Sequence, residues 1–127
     1  MIERLRLAAI TGDLPTLVDA IERGASIDAR DRYGQTPIML AAHHGCAVIV
    51  TELIARRANL DVTGKFGLSA LMLAVIAGHV DIARALVAAG ADTSLRATGR
   101  NAFAGLTARD LAEARGHGDL WSGPLDG

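Results

Sequence analysis

Two neighbouring histidines and one cysteine are the residues of this sequence whose chemistry first suggests a reactive site. His43 and His44 could bind a metal ion, and the nearby Cys46 could act as a nucleophile. Adjacent side chains on a helix point about 100° apart, so the two imidazoles do not converge on one metal ion. No third residue is apparent that would orient a histidine base for Cys46. We therefore expect no metal site and no catalytic residue, and we interpret the histidines as surface residues available to a partner.

The remaining polar residues do not indicate an active site either. The glycines lack the phosphate-binding pattern that ends in Lys and Ser or Thr, and the acidic residues are scattered without a paired set. Arg56 and Arg57 form a short basic pair near a predicted helix end, where they complement the helix dipole. We predict that the protein is not an enzyme and needs no cofactor.

Length and composition predict one domain in a reducing compartment. The 127 residues are half hydrophobic, and 13 basic residues nearly balance 14 acidic ones, which argues against nucleic-acid binding. The single cysteine cannot form an internal disulfide. No apolar run resembles a signal peptide or a transmembrane helix, so we expect a cytoplasmic protein without membrane contact. Twelve arginines against one lysine are typical of a GC-rich genome and favour a bacterial origin.

The chain repeats itself with a period of 33 residues. Gly12, Gly45 and Gly78 share this spacing. Residues 31–62 aligned on 64–95 without gaps have nine identities in 32 positions. A period of this length is typical of proteins that are built from stacked units.

Each unit is predicted to be a turn followed by two short helices. Residues 31–35 have a turn composition, Thr36 is placed as an N-cap, and Pro37 follows at the first helical position. The first helix is predicted to end at Gly45, and the second spans 47–56 with an apolar stripe. Neither helix can bury its apolar face alone, so we expect the stability to come from stacking.

These units resemble the ankyrin repeat. The resemblance rests on Gly-Gln-Thr-Pro-Ile at 34–38, on Ala41-Ala42, and on the later motifs Gly78-His79 and Gly90-Ala91-Asp92. It implies an all-α solenoid of stacked helix-turn-helix units with short hairpin-like loops. Within one domain, 1–127, it implies an N-terminal capping repeat 1–30, repeats 31–63 and 64–96, and a C-terminal capping repeat 97–127 with an insertion in 97–105.

The sequence departs from the ankyrin pattern at several positions, and each departure leads to a separate structural expectation. Met39 and Met72 replace the histidine of the family, so a side-chain hydrogen bond that the resemblance implies is lost. We expect both methionine side chains to pack in the core, and the alternative is that they line a binding surface. Arg57 replaces a glycine at a turn that would be strained or remodelled. The last unit's second helix is expected to fail, with Leu120 and Trp121 packing over the end of the stack.

The resemblance implies that a partner protein binds to the hairpin tips and to the inner face of the first helices, an extended concave surface. The residues mapped in this way are Arg32, Tyr33, Gln35, Lys65, Phe66 and Leu68 at the tips, Ile10, Thr11, His43, His44, Ile76 and Ala77 on the helices, and Arg30, Thr63 and Arg96 at the turn bases. Tyr33 and Phe66 occupy equivalent positions, and aromatic residues are enriched at binding hot spots. The alternative is that they only stabilise the neighbouring hairpin. Arg100 and Phe103 in the insertion could extend the groove.

The function that follows is binding. We expect a monomeric, non-enzymatic module that holds, inhibits or stabilises one unidentified partner protein. The alternative is a structural scaffold or a self-associating subunit of a larger complex. A binder of small ligands would need a pocket with convergent polar groups, for which the sequence offers no residues.

Overall fold

The computed structural model describes residues 2–99 and 103–116, and within these ranges the chain is helical and has no β-strand. The helices are α1 (Ile2–Thr11), α2 (Leu14–Glu22), α3 (Pro37–His44), α4 (Ala47–Ala55), α5 (Ala70–Ile76), α6 (Val80–Ala88) and α7 (Ala108–Ala114), with a 3-10 turn at Lys65–Gly67. The expected all-α stack of helix-turn-helix units is confirmed. Arg100, Leu120 and Trp121 lie outside the described residues.

The helices are stacked in two rows. Helices α1, α3, α5 and α7 pack side by side in an inner row, and α2, α4 and α6 pack against them and against one another in an outer row. Small residues lie where the inner helices meet: Ala8, Ala41 and Ala74 occupy equivalent positions and are almost completely buried. Their size lets neighbouring helices approach closely, and the buried residues form one continuous core.

Three of the four inner helices, α3, α5 and α7, follow a serine or threonine at the N-cap position, as predicted for α3 at Thr36. The Ser69 hydroxyl accepts a hydrogen bond from the Met72 N–H at 3.3 Å. Thr107 and Asp110 cap α7 reciprocally, since each side chain accepts the backbone N–H of the other, at 3.2 and 3.0 Å. These bonds satisfy amide groups that the first turn of a helix otherwise leaves without partners.

The hydrogen bonding of Thr36 reflects the methionine three residues later, Met39. Its hydroxyl is buried and has no hydrogen-bond partner among the described residues. Its backbone N–H instead lies 3.4 Å from the Met39 sulfur, a weak acceptor. Met39 and Met72 are both about 1% exposed, so their predicted packing in the core is confirmed.

Aspartates link successive units, which the sequence analysis missed. The Asp28 carboxylate accepts the Asn59 N–H at 2.9 Å, and the Asp61 carboxylate accepts the Asp92 N–H at 2.7 Å. The two acceptors are 33 residues apart. That spacing is the signal that could have identified them.

The two described ends of the insertion are joined by backbone hydrogen bonds at the start of the last unit. Ala97 donates its N–H to the Leu106 carbonyl at 2.9 Å, and Gly105 donates to the Ala97 carbonyl at 2.8 Å. Phe103 is half-buried and packs against the core. Among the described helices, none is long and apolar enough to cross a membrane.

The turn after α4 confirms the strain expected at Arg57. This residue has a φ of 63°, in the left-handed region. Its counterparts in the flanking repeats are Gly24 and Gly90, which also have positive φ. A side chain in this region costs roughly 1–2 kcal/mol.

Replacing Arg57 by glycine is therefore expected to stabilise the fold. Arg57→Gly should raise the free energy of unfolding by about 0.5–1 kcal/mol. The reason is that the relief of backbone strain in the folded state exceeds the additional conformational entropy that a glycine loses on folding. Urea denaturation followed by circular dichroism measures the change. The matched control is Arg115→Gly, at an exposed residue with a φ of −100°, which should lower stability. A loss of stability in Arg57→Gly would contradict the strain.

Candidate functional site

The hairpin loops lie against one another along one edge of the stack. We define the tip edge as residues 30–35, 63–68 and 96–99. A side chain at Gly64 would come within 3.2 Å of the Gly34 carbonyl oxygen, so the first two loops touch through their backbones. The Phe66 carbonyl accepts the Thr98 N–H at 2.6 Å, which joins the second loop to the third. The tips therefore form a continuous surface.

Each of the first two loops presents an aromatic ring beside a cation. Tyr33 is 51% exposed and Phe66 is 43% exposed, large values for aromatic side chains. The Arg32 guanidinium lies 5.4 Å from the centre of the Tyr33 ring, and the Lys65 ammonium lies 5.1 Å from that of Phe66. Both pairs fall within the range of cation–π attraction. The equivalent positions thus carry the same arrangement, and each aromatic residue keeps about half of its surface exposed for another contact.

Phe66 holds its exposed position in a strained backbone conformation. Its φ is 64°, and only Arg57 shares a positive φ among the described non-glycine residues. Strain of this kind persists where the surrounding structure enforces it and is concentrated at functional sites. At Phe66, the carbonyl accepts the Thr98 N–H, which ties the strained segment to the next loop.

Asp31 builds the loop that carries Tyr33. Its carboxylate accepts the backbone N–H groups of Tyr33 at 2.8 Å and Gln35 at 3.0 Å, and it pairs with the Arg6 guanidinium at 3.2 Å. Burial acts to raise the pKa of Asp31, but the two backbone bonds and Arg6 outweigh it and hold the pKa below the ordinary 3.8. The carboxylate is therefore charged at neutral pH and already occupied.

The histidines of α3 lie on the surface, as expected. His43 and His44 are exposed in the last turn of the helix, with ring centres 5.1 Å apart. Partial burial lowers the pKa of His44, and the positive charges of His43, Arg6 and His79 lower it further. Within the described residues, no group of three or more His, Cys, Asp or Glu side chains is placed to hold a metal ion.

Gly45 and His79 pack against each other where two units meet. A β-carbon at Gly45 would lie 2.7 Å from the His79 ring, and Gly45 has a φ of 77°. Glycine is therefore required at this position for two reasons. His79 therefore has a packing role between two units.

Cys46 has the environment of an unreactive thiol. It is half-buried, and its sulfur donates to the Ile10 carbonyl at 3.3 Å. Burial raises the pKa of the Cys46 thiol above 9.0, so the nucleophilic thiolate is scarce at neutral pH. This environment does not favour catalysis.

The other sequence-predicted site residues are divided between surface and core. Arg32, Lys65 and Arg96 are exposed, and Gln35 is half-buried in its loop. The apolar ones are half-buried and pack against the core: Leu68, Ile76 and Phe103. Phe103 thus contributes to the core of the stack, while Tyr33 and Phe66 dominate the exposed apolar area of the tips.

A comparison with protein families identifies the repeats. The family model described as ankyrin repeats, in three copies, matches residues 5–97. The comparison with curated proteins finds no match.

Removal of the Asp31 charge should loosen the loop that presents Tyr33. Asp31→Asn is expected to lower the free energy of unfolding by about 1–3 kcal/mol at neutral pH, because a charged acceptor is lost. Because the folded pKa is lowered, the wild-type advantage is complete above pH 3.8 and disappears as the pH falls through the folded value. Urea denaturation between pH 7 and pH 3 measures both effects.

The matched control for Asp31→Asn is the same substitution at a carboxylate that does not organise a loop. Asp81 is exposed at the start of α6, and Asp81→Asn should change stability by no more than about 0.5 kcal/mol. Equal losses in the two variants would show that Asp31 does not organise the tip.

Proposed function

This chain belongs to the ankyrin-repeat family, and on that premise we propose that it binds one partner protein through the tip edge and the adjoining ends of the inner helices. Ankyrin repeats are generally protein–protein interaction modules and typically non-enzymatic. The binding would hold, inhibit or stabilise the partner, without catalysis or a cofactor. The observation that carries the proposal is the pair of half-exposed aromatics at equivalent positions, Tyr33 and Phe66.

Burial of these rings would supply a large share of the binding free energy. Apolar surface removed from water contributes about 25 cal/mol per Å², and aromatic side chains offer the largest area per residue. The rings are held by the stacked backbones beneath them, so a partner would order few additional groups on binding. His43, His44 and Ile76 extend the same proposed surface along the inner helices.

The oligomeric state and the cellular location of the protein form part of the proposal. We take the working form to be a monomer in the reducing cytoplasm that binds neither nucleic acid nor membranes. The near-neutral net charge of −1 and the single cysteine support this part of the proposal.

Self-association is the second candidate, and Leu7 favours it. Leu7 is 53% exposed, whereas its counterparts Leu40 and Leu73 are only 4% and 5% exposed. An apolar side chain at this end of the stack could pack against a second copy of the chain. The protein would then be a scaffold subunit.

Truncation of the tip aromatics tests the first proposal. The partner is identified by affinity capture and mass spectrometry, and its affinity is then measured by calorimetry. Tyr33→Ala and Phe66→Ala should each weaken binding by more than about 1 kcal/mol, because each removes a buried ring from the interface.

The control for this experiment is an equally exposed apolar residue on another face. Val48 is 60% exposed in α4 of the outer row, and Val48→Ala should leave the affinity unchanged. The face assignment is wrong if the aromatic variants bind as tightly as the wild type.

Light scattering during size-exclusion chromatography separates the two candidates. The first proposal expects a monomer of about 13.2 kDa for the wild type and for Leu7→Glu. A wild-type dimer that Leu7→Glu converts to a monomer would favour the scaffold. Val48→Glu is the matched control, since it adds the same charge on the outer row.

A further inference from the structure

We propose that the partner segment on the tip edge is an extended acidic peptide, with a carboxylate at about every third residue. The inference rests on the proposed function, because it names the chemistry of the partner that the same surface would bind. It goes further by committing to the charge, the conformation and the spacing of that partner.

The tip edge is cationic in a protein whose net charge is −1. Its described loops carry four basic side chains, Arg30, Arg32, Lys65 and Arg96. Asp31 is the only acidic residue in these loops, and its carboxylate is occupied by two backbone N–H groups and by Arg6. Within these loops the positive charge therefore has no exposed acid to compensate it, and the nearest exposed carboxylate beside the first tip is that of Glu3, which pairs with Arg6.

Three of the tip cations lack carboxylate partners within the described structure, whereas the charge of Arg96 helps to lower the pKa of Asp110. No described carboxylate forms a salt bridge with Arg30, Arg32 or Lys65, and Arg96 donates to a backbone carbonyl, that of Gly105, at 2.6 Å. On the helices the arrangement differs. Arginines paired with carboxylates at 2.6–3.4 Å are Arg4, Arg23, Arg56 and Arg109. Arg57 and Arg115 also form no salt bridge within the described residues, but they follow α4 and α7 singly, whereas the tips bring three such cations beside the exposed aromatic rings.

A hollow beside the first tip would admit a carboxylate. Its volume is about 350 Å³, and its lining includes Arg6, Arg30 and Arg32 together with Glu3 and Asp31. Guanidinium groups bind carboxylates in a bidentate geometry, and they are more weakly hydrated than ammonium groups. A partner carboxylate in this hollow would lie between the guanidiniums of Arg30 and Arg32, because Arg6 is already paired with Asp31 at 3.2 Å and with Glu3 at 3.5 Å.

The spacing of the repeats selects an extended partner. Neighbouring packed helices lie about 8–10 Å apart, so successive tips repeat at a similar distance. An extended chain in the polyproline II conformation advances about 3.1 Å per residue with three residues per turn, so one turn spans about one repeat and every third side chain lies on the same face. Carboxylates three residues apart would meet the cations of successive tips, and the residues between them would contact Tyr33 and Phe66.

A single-stranded nucleic acid also binds cations and aromatic rings, but the surroundings of the tips disfavour it. Asp28, Asp61 and Asp92 lie a few residues before the three loops. A continuous phosphate backbone that tracked past the tips would meet these carboxylates. A peptide can place uncharged residues there.

Selection from a random peptide library tests the inference even while the natural partner is unidentified. The purified full chain is presented to displayed peptides of about twelve residues, a length that spans the described tips. The expected result is enrichment of Asp and Glu at a three-residue spacing. The best peptide is then labelled, and its affinity is measured by fluorescence anisotropy beside that of a labelled oligothymidine.

Charge reversal locates the site. Arg32→Glu/Lys65→Glu should weaken binding of the selected peptide at least tenfold and should make the remaining affinity less sensitive to salt. The control is Arg57→Glu/Arg115→Glu, which makes the same change in net charge at two exposed arginines away from the tips. Circular dichroism confirms that both variants are folded.

The outcomes separate this inference from the proposed function. Peptides that bind the tip edge without acidic enrichment would overturn the acidic partner and leave the interaction function in place. Failure of any peptide or captured protein to bind would count against both. Tighter binding of oligothymidine than of the selected peptide, or equal losses in the two charge variants, would also overturn the inference.

Discussion

Every feature of this protein depends on the fact that its helices are too short to be stable alone. The paired helices have seven to ten residues each, and an isolated helix of that length is marginal in water. Burial of the apolar faces between units supplies the missing stability. Ala8, Ala41 and Ala74 make this possible, because their small side chains let the inner helices pack closely.

The same stacking shapes the surface that faces outward. When the units pack, their loops are drawn together until backbone meets backbone, at Gly34 with Gly64 and at Phe66 with Thr98. Little space then remains between the loops, so the larger side chains of the tips are left partly exposed. The strained conformation of Phe66 is a local cost of this arrangement, and the stability of the whole stack sustains it.

Residues that suggest chemistry in the sequence acquire different roles in the stack. The proximity of His43, His44 and Cys46 along the chain suggests a reactive centre. In the fold, the histidines lie at the surface in the last turn of an inner helix. The cysteine thiol donates a hydrogen bond to the carbonyl of Ile10 in the preceding unit. Reactive residues need convergent geometry and a lowered thiol pKa, and the packing of Cys46 raises its pKa instead.

The sequence by itself determined the architecture. The period of 33 residues, the N-cap at Thr36, and the unusual turn at Arg57 were all readable, because turn and helix signals act locally and recur in each unit. Tertiary structure decided what depends on neighbouring units: the hydrogen bond from the Asn59 N–H to the Asp28 carboxylate, the pairing of Asp31 with Arg6, and the packing of the half-buried Phe103 against the core. It also decided that Arg30, Arg32 and Lys65 form no salt bridge with a described carboxylate. Contacts between residues far apart in the chain set these properties, and no local pattern encodes them.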